Sequence, residues 1–202
     1  KLRAFYNHPG FVEANADRIR EALSSIPAER REQVELVFTA HSIPLSMSTN
    51  CRYVEQLLEV TKLVSGRVPH RAGALVYQSR SGPPQQAWLE PDVKEYLKEL
   101  KNSGVSDVVI APIGFISDHM EVIYDLDVEA MELCGELGLH AVRASTAGVH
   151  PAFVSMIREL ILERTGPNSE RRFLGDNGSQ PDVCPIDCCP GLRQRALGRL
   201  SE

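Results

Sequence analysis

The chain has 202 residues and a formal net charge of −5, from 22 Lys and Arg against 27 Asp and Glu. That balance excludes a broadly basic nucleic-acid binder, and no apolar run approaches the roughly 20 residues of a membrane span. Hydrophobic residues make up 43%, enough for a core that needs no disulfides.

The start, KLRAFYNHPG, has no apolar stretch behind its first charge. It does not read as a signal peptide, and a cytoplasmic protein is expected. Periodicity then alternates along the chain. Residues 9–26 read as a helix with Phe11, Val12, Ala16, Ile19 and Leu23 on one stripe. Residues 34–40 form a β-rich run that ends at His41. Residues 51–68 return to helix, with Val54, Leu57, Leu58, Thr61 and Val64 or Leu63 inward, and residues 72–78 are a second apolar run. Pro91 opens a helix that stops at Gly104. Residues 108–115 are the most apolar strand. Residues 119–137 carry a long helical pattern stopped by Gly138, residues 140–144 a weaker strand, and residues 151–163 a last helix closed by Gly166.

This order specifies an α/β fold, a mostly parallel sheet with helices on both faces. Continuously apolar strands suit a sheet buried on both sides. The domain is expected over residues 1–166. Residues 167–202 read as a polar, Gly/Pro-rich linker followed by a cysteine-rich tail.

In such sheets, ligands bind at the carboxyl ends of the strands. His41, Gln78 to Arg80, Phe115 to Glu121 and Arg143 to His150 each follow a strand, so all four segments are expected on one edge. His41, between a strand end and a proline, is either a loop histidine bonded to backbone or a general base or metal ligand. In FISDHMEVIYDLDVE, Asp118 is placed as an N-cap with Glu121 completing a capping box. Glu121, Asp125 and Glu129 recur every four residues, an acidic stripe beside His119. Like charges so spaced repel. The stripe is either a solvated face or a track that attracts cations, and residues 115–139 contain no Lys or Arg. Imidazole with carboxylate suits Fe(II), Zn or Ni better than Mg or Ca. Trp88, the single tryptophan, is either core or, with Phe115, an apolar wall for a flat ligand. Of five cysteines, Cys184, Cys188 and Cys189 crowd into VCPIDCCPG, which reads as metal or iron–sulfur ligation in a chain expected to stay in a reducing compartment.

The segments FTAHSIPLS, YQSRSGPPQQAWLEPD and APIGFISDHMEVIYDLDVE resemble the ferrochelatases, enzymes that insert ferrous iron into a porphyrin to make haem. The resemblance spans about residues 1–166, and the tail is most similar to the actinobacterial, coproporphyrin III type. It implies that His41 is the active-site histidine, an iron ligand or pyrrole-proton acceptor. Glu121 is then the partner carboxylate across the porphyrin plane, and His119 the second histidine of the motif. Asp125 and Glu129 become the acidic line, on a helix with a π-type widening. Phe115 and Trp88 become the porphyrin wall. A [2Fe–2S] cluster takes four thiolates. The resemblance implies Cys51 as the fourth ligand beside Cys184, Cys188 and Cys189, with structural zinc the rival. Cys134, inside a helix, is left to the core.

Substrates implied are Fe²⁺ and coproporphyrin III, with protoporphyrin IX the alternative. Members of the family comprise two similar α/β domains facing each other across a cleft. This chain resembles the C-terminal one, so an N-terminal chelatase domain is the expected partner, and activity of this chain alone is doubtful. The competing expectations are a cobalt or nickel chelatase of another tetrapyrrole and a non-catalytic haem or iron–sulfur binding module.

Overall fold

The computed structural model describes residues 1–83, 85–166 and 169–185. Among these residues, four strands, β1 (Glu35–His41), β2 (Ala74–Gln78), β3 (Asp107–Ala111) and β4 (His140–Arg143), form one sheet in the order β2-β1-β3-β4. Every neighbouring pair is parallel. The helices are α1 (Pro9–Ser24), α2 (Leu45–Ser48), α3 (Tyr53–Ser65), α4 (Val93–Asn102), α5 (Met120–Val122), α6 (Met131–Leu137) and α7 (Pro151–Thr165). A π-helical segment, Ile123–Ala130, joins α5 to α6.

The expected α/β architecture is therefore present. Side chains of β1 alternate between two cores, as strand geometry requires. Leu36, Phe38 and Ala40 join Phe11, Ile19 and Met156 of α1 and α7 on one face. Val37 joins Leu97 and Leu126, from α4 and the π-helical segment, on the other. Both central strands are thus covered on both sides, which is why they read as unbroken apolar runs. In α3 the inward residues are Leu57, Val60, Thr61 and Val64. Leu58, expected inward, faces out.

β3 ends at Ala111, short of the expected Phe115. Pro112 has no N–H to extend the ladder, and the chain turns over β1 instead. There Gly114 donates its N–H to Thr39 O at 3.0 Å. A Cβ at Gly114 would lie 2.6 Å from that of Ala40, so only glycine passes here.

Helices α1 and α7 begin in the same way, with a histidine before a proline at the first helical turn. His8 Nδ1 accepts from Gly10 N at 3.1 Å, and His150 Nδ1 accepts from Ala152 N at 3.2 Å. Each ring's Nε2 approaches a carboxylate on the opposite helix: His8 lies 3.4 Å from Glu159, and His150 lies 3.3 Å from Asp17. The His8 pKa is lowered, first by burial and then by the Arg3 and Arg172 charges, against the opposing pull of Glu159 and Glu163. The folded state therefore favours neutral His8, whose Nδ1 lone pair is the cap. A histidine depressed on folding contributes fully above its unfolded pKa of ~6.5, and that stability falls as pH drops below it. His8→Asn keeps a good capping residue but does not titrate. Thermal melts at pH 7.5 and 5.5 are expected to show wild type losing more stability than this variant. Equal losses would assign no such role to His8.

The polar segment read as a linker is tied to the domain from residue 172 to residue 182. Arg3 donates to Arg172 O, Asn7 Nδ2 donates to the carbonyls of Leu174 and Gly178, and Gln180 is buried with its amide on the Tyr6 hydroxyl. Its polarity misleads because most of these contacts are hydrogen bonds and ion pairs, to the N-terminal segment, α3 and α7, with Leu174 packed against the core.

Candidate active site at the switch point of the sheet

The strand order reverses direction between β1 and β3, and the crevice outside their carboxyl ends is where such sheets bind ligands. His41 ends β1, in register beside Gln78, the last residue of β2. The loop after β3 runs over β1 through Gly114 and leads into α5, which carries Glu121 in its first turn. His41 Nε2 lies 3.8 Å from Glu121 Oε2, and both side chains remain open to solvent.

The histidine is oriented by its other nitrogen. Nδ1 lies 2.5 Å from Ser42 O. A carbonyl only accepts, so Nδ1 donates to it, and Nε2 is the ring nitrogen that faces Glu121. The backbone beneath is fixed as well. Tyr53 donates its hydroxyl to His41 O at 2.9 Å, Ser42 N donates to Gln78 O at 2.8 Å, and Ser42 Oγ donates to Leu89 O at 2.9 Å. Burial pushes the Tyr53 pKa up to about 12, aided by Tyr77 and Cys51, so this donor keeps its proton.

The acidic stripe lies on the same edge. In an α-helix of ~3.6 residues per turn, a four-residue repeat drifts around the axis. The i→i+5 bonding of a π-helix widens the turn and brings such residues back into line. Met131 N indeed donates to Leu126 O. Asp125 Oδ2 accepts from Gln78 Nε2 at 3.3 Å and from Ser79 Oγ, and Ser79 adopts a left-handed φ of 61° at the end of β2. Asp125 and Glu129 line a cavity of about 330 Å³ with Gln78, Ser79 and Lys94.

The stripe is not bare of cations, as its own segment suggested. Lys94 of α4 binds Glu129 at 2.9 Å. Arg143, the last residue of β4, takes Asp127 and Asp118. Nor is Asp118 a cap: the N-cap of α5 is His119, with no side-chain cap bond, so the expected capping box does not form. Glu121 is left free to face His41.

Phe115 and Trp88 are both buried rather than presented as an open wall. Phe115 packs in the core under the π-helical segment, with the His119 ring edge-on at 5.3 Å. Trp88 lies against Gly82 and pairs with Pro44. The apolar surface exposed on this edge comes from Ile116, Tyr124, Val149 and Met120, the last 78% exposed. Their signal in the sequence was weak: single apolar residues on the outer side of loops and helix starts.

Cys51 is half-buried after α2, with Sγ 3.9 Å from Ser48 O, and Cys184 is exposed beside Lys1. Their two segments meet where Arg52 Nη1 donates to Gln180 Oε1 at 3.3 Å. Cys134 sits in the core, where burial raises its thiol to about 11. Cys188 and Cys189 lie outside the described residues.

Comparison with known proteins adds independent findings. The family model described as Ferrochelatase matches residues 1–165. A ferrochelatase of Rhodopirellula baltica is 50% identical over 190 residues, covering 94% of this chain and 54% of that protein. Coproporphyrin III ferrochelatases of Streptomyces coelicolor and Frankia alni are 43% and 44% identical, covering 96% of this chain in each case and 57% and 53% of the relative. The chain thus spans about half the length of the curated relatives it matches. On a match that takes in the whole sheet and every segment of its carboxyl edge, this chain belongs to the ferrochelatase family.

Proposed function

We propose that the full-length protein inserts ferrous iron into a porphyrin in haem biosynthesis, with coproporphyrin III favoured over protoporphyrin IX. This chain supplies the wall of the cleft that carries His41 and Glu121, and a second domain of similar fold completes it. The carrying observation is the His41–Glu121 approach of 3.8 Å at the switch point, with Nδ1 held by Ser42 O and Nε2 facing the carboxylate. The relatives named for coproporphyrin III support the substrate.

The reaction exchanges the two pyrrole N–H protons of the free-base porphyrin for Fe²⁺ and releases two H⁺. It needs a proton acceptor close to the ring and oxygen or nitrogen ligands that replace water on iron. His41 Nε2 meets the first need and, with Glu121, the second. His119, held edge-on by Phe115, stands in the same loop as an auxiliary proton group. Ile116, Met120, Tyr124 and Val149 offer the apolar area for the macrocycle, with Phe115 and Trp88 as its buried support. Asp125 and Glu129 continue the metal path.

Because Lys94 neutralises Glu129 and only neutral donors reach Asp125 among the described residues, Asp125 is the stronger attractor of iron. Asp125→Asn is expected to raise KM for Fe(II) about tenfold, leaving KM for coproporphyrin unchanged, with a smaller effect from Glu129→Gln. Steady-state kinetics under anaerobic conditions measures this. An Asp125→Asn enzyme with wild-type KM for Fe(II) removes Asp125 from the path.

The thiols Cys51, Cys184, Cys188 and Cys189 are proposed to hold a [2Fe–2S] cluster, with structural zinc the alternative. The donor set fits, and the meeting of Arg52 with Gln180 brings the segments of the two described thiols together. When bound, the cluster would pin the tail to the loop that follows His41. Purified protein is expected to be brown, with thiolate-to-iron absorption lost in Cys51→Ser and Cys184→Ser. Stoichiometric zinc without iron or sulfide would replace this assignment. The protein is expected to work in the cytoplasm, where such thiols stay reduced.

A further inference from the structure

Five carboxylates crowd the stretch from Asp118 to Glu129, namely Asp118, Glu121, Asp125, Asp127 and Glu129. Packing sorts them by partner. Glu129 takes Lys94, Asp125 takes the neutral donors Gln78 and Ser79, and Glu121 faces His41. The remaining two take one arginine. Arg143 Nε and Nη2 fork onto the two oxygens of Asp127 at 2.5 and 2.9 Å, and Nη1 reaches Asp118 Oδ1 at 3.0 Å.

The placement matters more than the pairing. Asp118 precedes Glu121 by three residues and Asp127 follows it by six. One cation, its side chain 16% exposed at the end of β4, therefore grips the chain on both sides of Glu121. The sheet anchors the grip, since Ala144 N donates to Ile110 O at 2.9 Å. The loop after β4 adds a backbone tie, Gly148 N to Ile116 O at 2.8 Å. A forked charge-assisted pair fixes direction as well as distance. Lysine, a point charge on a flexible stem, cannot reproduce it.

We infer that Arg143 is a positioning residue for the active-site pair: by clamping Asp118 and Asp127 to β4 it sets the approach of Glu121 to His41. Without it, the loop before α5 is released and two more unpaired carboxylates repel Glu121 and Asp125. The consequence for turnover rests on the proposed iron insertion, whereas the consequence for geometry does not.

The test uses the full-length protein with ¹⁵N-labelled histidine. At one fixed pH, the His41 ring signals are identified by their loss in His41→Ala. Glu121→Gln is expected to move them, and Arg143→Gln to move them in the same direction. Arg71→Gln, which breaks an ion pair with Glu35 at the opposite edge, is expected to leave them in place. In turnover, Arg143→Gln is expected to lower kcat about 10²-fold, the scale of an ångström's misplacement, with KM for porphyrin unchanged. Combined with Glu121→Gln it is expected to add little. Arg143→Lys is expected to recover only part of the loss. If Arg143→Gln fails to fold, Arg143→Lys and Asp127→Asn give the same readout. Folded clamp variants with unmoved His41 signals would overturn the inference, whatever their activity. Moved signals with wild-type turnover in Glu121→Gln would keep the positioning role and discard the proposed chemistry.

Discussion

His41→Ala is expected to reduce iron insertion by about 10²–10⁴-fold, the range that a positioned proton-transfer group contributes, while porphyrin still binds. Nδ1–H is committed to Ser42 O, and Nε2 faces Glu121. Glu121→Gln keeps shape and removes charge, and a loss of similar size is expected in kcat. Porphyrin binding, followed by fluorescence quenching, is expected to stay within twofold of wild type for both, because neither substitution removes the exposed apolar side chains Ile116, Met120, Tyr124 and Val149. Near wild-type kcat in either variant would remove that residue from the chemistry.

The largest stability effect is expected at the other end of the molecule. Arg3 and Glu163 form a forked pair at 2.7 and 3.0 Å with side chains 1% and 3% exposed. Removing one member of a buried pair strands the other charge, at a cost of about 3–5 kcal/mol. Glu163→Gln or Arg3→Met should approach that figure in denaturant unfolding. Arg3 also donates to Arg172 O at 2.8 Å. Arg3→Met is therefore expected to loosen the segment that carries Cys184, seen as faster proteolysis there, while Glu163→Gln does so less. A loss below about 1 kcal/mol, the range of exposed ion pairs, would contradict the buried geometry.

The elements that were legible in the sequence are those whose information is local. The β1 and β3 runs showed their burial directly, because each strand lies between two helical layers. Parallel order then placed His41, Gln78, Glu121 and Arg143 on one edge. What was not legible depends on partners distant in the chain. The acidic stripe looked unpaired because its own segment has no Lys or Arg, yet Lys94 reaches Glu129 from α4, and Arg143 of β4 takes the neighbouring Asp127. Asp118 looked like a helix cap until Arg143 claimed it. Phe115 and Trp88 could pack or face a ligand by composition alone, and the turn at Pro112 and Gly114 decided for burial of Phe115. The segment after α7 looked like a linker because most of its attachments are polar, to Arg3, Tyr6, Asn7, Glu59 and Glu159, and a single apolar residue, Leu174, leaves no periodic pattern.

In the full-length protein, this edge of the sheet is proposed to metallate a porphyrin rather than only hold one. Anaerobic single-turnover mixing of Fe(II) with the full-length protein carrying coproporphyrin III tests it directly. Loss of free-base porphyrin fluorescence with matching growth of the iron-porphyrin spectrum, at a rate that collapses in His41→Ala, is the expected result. Tight porphyrin binding with no metallation above the uncatalysed rate in wild type would contradict it and leave a binding module in its place.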